Sequence, residues 1–340
     1  MASMMKAVLW TAYGDPTVLK IGQLPKPVPN RNQILVKVKA AGLTVGDTEL
    51  RKAEMPLPSI FNLMLRLIVG ITKPTRFRVL GQEFSGVVAE VGEGCEGVAL
   101  GDAVFGSTGW PFGADAEYVL KEWPSRGAGG TGGRIAFKPS NLTFQEAAAS
   151  PTGGLEAVHL VKAAKVKPGD HVLVVGAAGS IGTFAVQLLK HLGAVVTGVD
   201  VEEKFDTMRA VGVDHFVDYT KEDYLKSGRQ YDVVIDVPST GPFSHHLLKS
   251  GGRYLLGNLN LRTMLQGLLF TPSDKRVAFE AGKGSLEDWD DLVVMLKEGI
   301  LKPVMDKAYG WEAASEAHAY VESGKKRGNV VLVVDADESN

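Results

Sequence analysis

The sequence contains a single cysteine, Cys95, among its 340 residues. This excludes an internal disulfide bond and a zinc site built from several cysteines. The chain also lacks an excess of charge of either sign, because 37 basic and 39 acidic residues leave a net charge of −2. Such a balance gives no electrostatic basis for binding nucleic acid. The seven histidines show no metal-ligand spacing, so we predict no metal site from them.

Long apolar runs are scarce as well. The longest apolar stretch, residues 60–71, contains Arg66 and is too short to cross a bilayer. It favours a core helix or a loop that lines a pocket over a segment that docks on a membrane surface. The first residues, MASMMKAVLW, lack the basic and apolar regions of a signal peptide. We therefore expect a cytoplasmic protein.

The chain length suggests two domains. In the first part, short apolar runs such as MKAVLW, QILVKVKAAGL and FSGVVAEVG are separated by Gly, Pro and Asp, which predicts a mostly antiparallel β domain. The pattern changes at about Thr143, which has capping-box spacing to Glu146 and therefore opens a helix. The segment at residues 122–135 is rich in glycine and is interpreted as a loop.

Beyond residue 170, apolar strands alternate with amphipathic helices, one of them predicted over FSHHLLKSGG at residues 243–252. This alternation predicts a doubly wound parallel sheet of the α/β class. The last apolar run, GNVVLVVD, is a strand that we assign to the first domain. We therefore predict one domain from residues 1–147 with 285–340, and a second from residues 148–284.

Three glycines lie where the strand HVLVVG meets the helix IGTFAVQLLKHLG. This is the strand–turn–helix context of a dinucleotide-binding site. Gly176 allows the turn, Gly179 lets a diphosphate approach the backbone amides, and Gly182 lets the helix pack close to the strand. The helix N-terminus adds unpaired N–H groups and a partial positive charge. The predicted diphosphate site comprises Gly176, Ala178, Gly179, Ser180, Ile181 and Gly182.

The next strand ends at Asp200, where a carboxylate receives the ribose hydroxyls of a dinucleotide. A carboxylate repels the 2′-phosphate of NADP by about 4 kcal/mol per charge pair before screening. Asp200 therefore favours NAD over NADP. Lys204 is a candidate for holding a phosphate, or else a solvated helix residue. Tyr219 is a candidate for facing the adenosine end, or else a strand-end residue.

The motifs GQEFSGVVAEVG, GDAVFG, VKPGDHVLVVGAAGSIG and RGNVVLVV, in this order, resemble the medium-chain dehydrogenase/reductase superfamily. The zinc-free quinone oxidoreductase branch, with its zeta-crystallin-like proteins, is the most similar part of it. The resemblance implies a GroES-like β domain beside a Rossmann domain. It also implies hydride transfer from NAD(P)H to a quinone or an α,β-unsaturated carbonyl compound.

The zinc-dependent alcohol dehydrogenases of this superfamily carry a cysteine where this chain has Thr44, and a histidine where it has Gln82. Neither residue is a usable zinc ligand, so we expect no catalytic zinc. The cysteine-rich lobe for structural zinc is also missing. Two alternatives stay open: an alcohol dehydrogenase acting on alcohols or ketones, and a dinucleotide-binding protein without catalytic activity.

By the same resemblance, Thr44, Asp47 and Gln82 are the candidate catalytic residues, and Asp47 is equally a candidate cap of a helix that begins at Thr48. Thr152 and Asn258 are placed near the nicotinamide. Glu156 stands near a position where relatives commonly have threonine. It is a candidate for shifting the cofactor preference or donating a proton, but the favoured interpretation is a carboxylate in the first turn of a helix. Relatives commonly dimerise by pairing strands of their nucleotide domains, here around residues 253–270, so we expect a homodimer; the alternative is that these apolar residues belong to the core.

Overall fold

The computed structural model describes residues 3–54, 59–110, 112–123, 133–241, 243–258, 260–280 and 282–335. Residues 124–132 of the predicted glycine-rich loop lie outside this description. The chain divides into two units, of which the first comprises residues 1–152 with 305–340 and the second residues 153–304. None of the described helices is long and apolar enough to cross a membrane.

The strands of the described chain are β1 Met4–Trp10, β2 Leu19–Pro25, β3 Gln33–Leu43, β4 Glu83–Val91, β5 Ala103–Ser107, β6 Tyr118–Glu122, β7 Arg134–Phe137, β8 His171–Val175, β9 Val195–Asp200, β10 His215–Asp218, β11 Tyr231–Asp236, β12 Leu248–Leu256, β13 Arg276–Phe279, β14 Met305–Gly310 and β15 Asn329–Val333. The α-helices are α1 Val45–Lys52, α2 Ser59–Val69, α3 Phe144–Ala148, α4 Pro151–Ala164, α5 Ser180–His191, α6 Phe205–Ala210, α7 Leu261–Phe270, α8 Leu286–Glu298 and α9 Ala314–Glu322.

The first unit contains a sheet in the order β14-β15-β3-β4-β5-β7, with β6 paired to β3. Apart from the parallel pair β14–β15, its ladders are antiparallel. The run QILVKVKAAGL forms β3 as predicted, and nine of its eleven residues are buried because both faces are covered. The predicted return of the C-terminal strand to this unit is confirmed, since β15 pairs with β3.

The second unit is a parallel sheet in the order β10-β9-β8-β11-β12-β13. The strand order reverses between β8 and β11. In open α/β sheets the crevice at the carboxyl ends of such a pair is where ligands bind. The predicted fold class, a Rossmann sheet with a GroES-like β domain, is confirmed.

The predicted helix at residues 243–252 is wrong. The segment forms a 3₁₀ turn at His245–Leu247 and then enters β12 at Leu248. Leu248 pairs with Tyr231 of β11, and both side chains are buried in the core of the sheet. A short apolar run of this kind fits a buried strand as well as a helix face, so periodicity could not separate the two.

The predicted division of the chain into domains stays a prediction, but the structure groups residues 285–304 with the second unit. Two contacts of α8 explain this grouping. The Asp288 carboxylate lies 2.9 Å from His159 Nδ1 on α4. A Cβ added at Gly154 would lie 2.6 Å from the Leu292 side chain, so α8 packs directly on the backbone of α4.

Candidate functional site

The glycine turn, residues 176–182, connects β8 to α5. Gly176 has a φ of +77°, a conformation that favours glycine. A Cβ at Gly182 would lie 2.2 Å from the Gly176 carbonyl oxygen, so the first turn of α5 packs against the turn's own backbone. A Cβ at Gly179 would meet only that oxygen, at 3.4 Å. The three glycines therefore have different roles. Gly176 adopts a left-handed conformation, Gly182 allows the helix to pack closely, and Gly179 leaves room beside the helix N-terminus.

The N-terminus of α5 has no side-chain cap, because its N-cap residue is Gly179. The N–H groups of the first helical turn have no intrahelical acceptor, and they concentrate the positive end of the helix dipole. Ile181 and Gly182 supply such groups. An uncapped helix N-terminus beside open space can bind an anionic group such as a diphosphate.

Asp200 anchors this turn. Its Oδ2 accepts a hydrogen bond from the Ala178 N–H at 3.2 Å, and its Oδ1 accepts one from the Val201 N–H at 3.0 Å. Lys204 Nζ lies 3.3 Å from the same Oδ1. Both side chains are largely buried. The two residues that sequence reasoning treated as competing determinants of the cofactor therefore form an ion pair.

A second group of polar residues lies at the carboxyl ends of β11 and β12. Asp236 Oδ1 accepts from the Ser239 N–H at 2.9 Å, and its Oδ2 accepts from the Tyr254 hydroxyl at 3.0 Å. Burial raises the pKa of Asp236. The exposed Asn258 donates its N–H to Ser239 Oγ at 3.2 Å. Sequence reasoning found Asn258 but missed the other three residues, although an acid at the end of a buried strand was a usable signal.

The glycine turn meets this polar group across the point where the strand order reverses. A Cβ at Gly176 would lie 3.1 Å from Pro238 Cδ, so the two loops are in contact. Tyr219 follows β10, its side chain is exposed, and its N–H donates to the Asp200 carbonyl oxygen at 3.4 Å. The second unit therefore brings most of the predicted cofactor residues to the carboxyl end of its sheet.

In the first unit, the predicted catalytic residues meet at the start of α1. Thr44 is the N-cap, and Asp47 completes a capping box: Thr44 donates its N–H and its hydroxyl to Asp47 Oδ2 at 2.9 and 2.7 Å. Gln82 Nε2 lies 3.4 Å from both Thr44 Oγ1 and Asp47 Oδ1. The helix begins at Val45, earlier than the predicted start at Thr48, so Asp47 caps it from within its first turn.

Two further carboxyl groups, which sequence reasoning missed, lie beside Asp47. Asp47, Glu83 and Asp115 form what we call the buried acid cluster, and none is more than 3% exposed. Glu83 Oε1 accepts the Thr152 N–H at 2.5 Å. Neither carboxylate oxygen of Asp115 has a hydrogen-bond partner among the described residues. Its tight packing is visible at Gly81, where a Cβ would lie 2.5 Å from Asp115 Oδ1.

Burial dominates the titration of this cluster. It raises the pKa of Asp47, raises that of Glu83 to about 7, and raises that of Asp115 well above its usual value. The charge of Asp47 disfavours ionisation of both neighbours. A carboxyl group with a pKa near neutrality can exchange protons at physiological pH.

The residues at the positions of the family's zinc ligands do not fit a zinc ion. The Thr44 hydroxyl is engaged in the capping box, and the Gln82 amide is a neutral donor that points at Thr44 and Asp47. Zinc in proteins prefers thiolate, imidazole and carboxylate ligands. Across the described ranges, no group of three or more His, Cys, Asp or Glu could hold a metal ion. We therefore derive no chemistry through zinc.

Glu156 does not lie in the first turn of a helix, because α4 begins at Pro151. That interpretation is wrong. Its carboxylate oxygens each lie 3.1 Å from the Gly282 N, and burial raises its pKa. One turn further along α4, His159 lies between two carboxylates, with Nδ1 2.9 Å from Asp288 and Nε2 3.0 Å from Glu280. These contacts fix the segment that follows β13.

Comparisons with known proteins agree with this architecture. Residues 30–155 match the family model described as an alcohol dehydrogenase GroES-like domain, and residues 211–332 match the one described as a zinc-binding dehydrogenase. The first match covers strands β3 to β7 and the acid cluster of the first unit. The second begins after α6, so the glycine turn lies between the two matches.

The chain is 29% identical to a 2-methylene-furan-3-one reductase of Solanum lycopersicum, over 97% of this chain and 79% of that protein. It is 27% identical to an NAD-dependent alcohol dehydrogenase of Sulfurisphaera tokodaii, over 97% of this chain and 100% of that protein. The solved structure of a quinone oxidoreductase from Coxiella burnetii is 28% identical, covers 98% of this chain and 100% of its own, and superposes with a TM-score of 0.82. The ordered motifs, the two sheets and these matches lead to one conclusion: this chain is an oxidoreductase that belongs to the medium-chain dehydrogenase/reductase superfamily, in its quinone oxidoreductase branch.

Proposed function

We propose that the protein transfers a hydride from NAD(P)H to a quinone or an α,β-unsaturated carbonyl compound, without a metal ion. The glycine turn carries this proposal, because it combines an uncapped helix N-terminus with a position, Gly179, where a Cβ would meet only one atom, at 3.4 Å. The relatives named as a furanone reductase and a quinone oxidoreductase support the substrate class.

The residues present fit a dinucleotide. The first-turn amides of α5 would hold its diphosphate, Asp200 and Lys204 would face its adenosine ribose, and Asn258 and Thr152 would lie towards its nicotinamide. When bound, the cofactor supplies the hydride. A quinone or an enone is already electrophilic at the accepting carbon, so the protein has to position it and stabilise charge on its oxygen.

We assign that task to Thr44 and Gln82. The Thr44 hydroxyl and the Gln82 amide are both hydrogen-bond donors, and Asp47 holds their donor groups at 2.7 and 3.4 Å. Either donor can turn from Asp47 to a substrate oxygen. Glu83, whose pKa lies at about 7, is the carboxyl group in this unit that is best suited to supply a proton near neutrality.

We further propose that the protein prefers NADH. Asp200 stands at the strand end where a carboxylate accepts ribose hydroxyls and disfavours a 2′-phosphate. Lys204 lies 3.3 Å from Asp200, so it offsets part of this repulsion. The preference should therefore be smaller than an unpaired carboxylate would give.

We also propose a homodimer, but one that pairs through a strand outside residues 253–270. The region 253–270 includes part of β12, which has β11 and β13 on its two sides and so cannot pair with another chain. The edge strand next to β12 is β13, while β10 forms the opposite edge of the sheet. Light scattering after size-exclusion chromatography would measure the mass in solution. A cytoplasmic location stays a prediction.

The test of the function is the oxidation of NADH and NADPH by a panel of quinones, enals and simple ketones, and the reduction of NAD+ and NADP+ by simple alcohols, each with and without a chelator. We expect turnover of quinones or enals that the chelator leaves unchanged. Alcohol oxidation that the chelator abolishes would instead support the alcohol dehydrogenase alternative. Saturable cofactor binding without turnover of any substrate would support a non-catalytic protein.

A further inference from the structure

The outward face of α2 is apolar. Between 43% and 54% of each of five side chains is exposed, and all five lie on one half of the helix: Phe61, Leu63, Met64, Leu67 and Ile68. Ile71, just beyond the helix, is 64% exposed. Solvent-facing helices normally carry polar residues at such positions. A contiguous exposed apolar patch marks a surface that binds something.

The polar residues of this helix face the other way. Asn62 and Arg66 are the polar residues between positions 61 and 69, and both are half-buried. The Arg66 guanidinium lies 4.7 Å from the centroid of the Tyr13 ring. Val69 is fully buried in the core of the first unit, and Leu65 packs against that core. The inner face therefore packs α2 on the first unit, and the outer apolar face is left exposed.

The surroundings of the patch are basic. Residues 55–82 contain four cations, Arg66, Lys73, Arg76 and Arg78, and no acid. After α2 the chain folds back, because the Thr75 and Arg76 N–H groups donate to the Val69 carbonyl oxygen at 3.1 Å. Arg76 Nη1 then reaches the Ile68 carbonyl oxygen at 3.3 Å. Lys73 and Arg76 are exposed, so positive charge lies at the C-terminal end of the apolar face.

We propose that α2 docks this protein on the surface of an anionic lipid bilayer. Its apolar side chains would enter the boundary between headgroups and acyl chains, and Lys73 and Arg76 would lie at the level of the lipid phosphates. An amphipathic helix with flanking cations is the pattern of interfacial membrane binding. A second copy of this chain fits the patch less well, because residues 55–82 contain no acid that could pair with Lys73 and Arg76 across a twofold contact of this surface with itself. This inference does not depend on the proposed function.

The test uses the full chain with sedimented vesicles of phosphatidylcholine, either alone or mixed with phosphatidylserine. We expect binding to the mixed vesicles that weakens as salt is added, and weak binding to phosphatidylcholine alone. The variant Lys73→Gln should lower the affinity for mixed vesicles about five-fold, the usual effect of one cation near such a surface. The absence of wild-type binding to mixed vesicles would overturn the proposal.

Leu67→Glu should weaken binding by more than about ten-fold. It removes a leucine side chain that the bilayer would bury, and it adds a negative charge near the anionic lipids. The matched control is Leu268→Glu on α7, where the leucine is 80% exposed. It should leave vesicle binding unchanged, and equal losses in both variants would show non-specific adsorption and overturn the proposal. Circular dichroism checks that each variant is folded. If Leu67→Glu instead halves the mass in sedimentation velocity while wild type ignores vesicles, a second copy covers this face.

Discussion

The glycine turn of the second unit and the buried acid cluster of the first unit both hold carboxylates out of water, but they do so differently. In the glycine turn, Asp200 accepts two backbone N–H groups and pairs with Lys204. In the acid cluster, Asp115 has no hydrogen-bond partner among the described residues, and Glu83 has the Thr152 amide beside it. A paired carboxylate can stay charged when buried, whereas an unpaired one gains a proton. The turn therefore holds its carboxylate in a fixed position, and the cluster is suited to exchanging protons.

The largest effect is expected from Gly182→Ala, which would place a Cβ 2.2 Å from a backbone oxygen. Helix α5 must shift to relieve this overlap, so we expect a loss of at least about 3 kcal/mol in the free energy of unfolding, together with a loss of cofactor binding. Gly179→Ala is the matched control. Its Cβ meets its nearest atom at 3.4 Å, so stability should be kept while cofactor affinity falls about ten-fold. Thermal denaturation and fluorescence titration with NADH measure the two quantities.

Equal stability losses in the two variants would contradict the roles assigned to these glycines. The different roles of these glycines could be predicted from the sequence, because the whole turn lies in one strand–turn–helix–strand segment. In such a segment, residue spacing alone locates Gly176, Gly182 and Asp200. What the spacing could not give was the ion pair with Lys204. That contact depends on how the chain folds after β9, which no pattern in the segment specifies.

The acid cluster was only partly predictable. Its members come from three separate segments: α1, the start of β4, and the loop before β6. The motif around Asp47 and Gln82 pointed to one corner of it. Asp115 carries no sequence signal, because its burial follows from tertiary packing against Gly81. Glu83 stands next to Gln82 in the sequence, but only the structure shows that its carboxylate reaches the Thr152 amide.

The variant Glu83→Gln tests the titration of the cluster. The pKa of Glu83 is about 7 in the folded protein and near its ordinary value of 4.5 when unfolded, so the folded state binds the proton more tightly. Protonated Glu83 therefore contributes its full share of the free energy of unfolding below pH 4.5, and this contribution is lost as the pH rises through 7. Wild type should lose about 2 kcal/mol relative to Glu83→Gln between pH 5 and pH 8. Urea denaturation at both pH values measures this difference.

The control for that series is Glu316→Gln, the same change at an exposed site of the same unit. Its free energy of unfolding should follow the wild-type pH dependence. If Glu83→Gln also follows wild type, then Glu83 is ionised in the fold, and its role as a proton source is wrong.

His318 should show the opposite pH dependence within the same unit. It is fully buried, neither ring nitrogen has a partner among the described residues, and burial lowers its pKa to about 3. The unfolded chain then binds the proton first, so stability falls as the pH drops below 6.5. Wild type should lose about 2 kcal/mol relative to His318→Leu between pH 8 and pH 5. The exposed His191→Leu is the control, and a matching slope in both variants would contradict this account.

The smallest effect concerns the choice between NADH and NADPH, and it probes the charge balance of the glycine turn. Asp200→Asn keeps an oxygen that can accept the Ala178 N–H but removes the charge, so the ratio of kcat/KM for NADPH to that for NADH should rise about ten-fold, or about 1.4 kcal/mol. Lys204→Gln leaves Asp200 unneutralised and should lower the same ratio by a similar factor. Lys190→Gln, which breaks the ion pair with Asp214 in the same unit, should leave the ratio unchanged.

Because the charges of Asp200 and Lys204 are only 3.3 Å apart, the double variant Asp200→Asn with Lys204→Gln should return close to the wild-type ratio. If both single variants shift the ratio in the same direction, the pair does not face the ribose, and the adenosine end of the cofactor lies elsewhere.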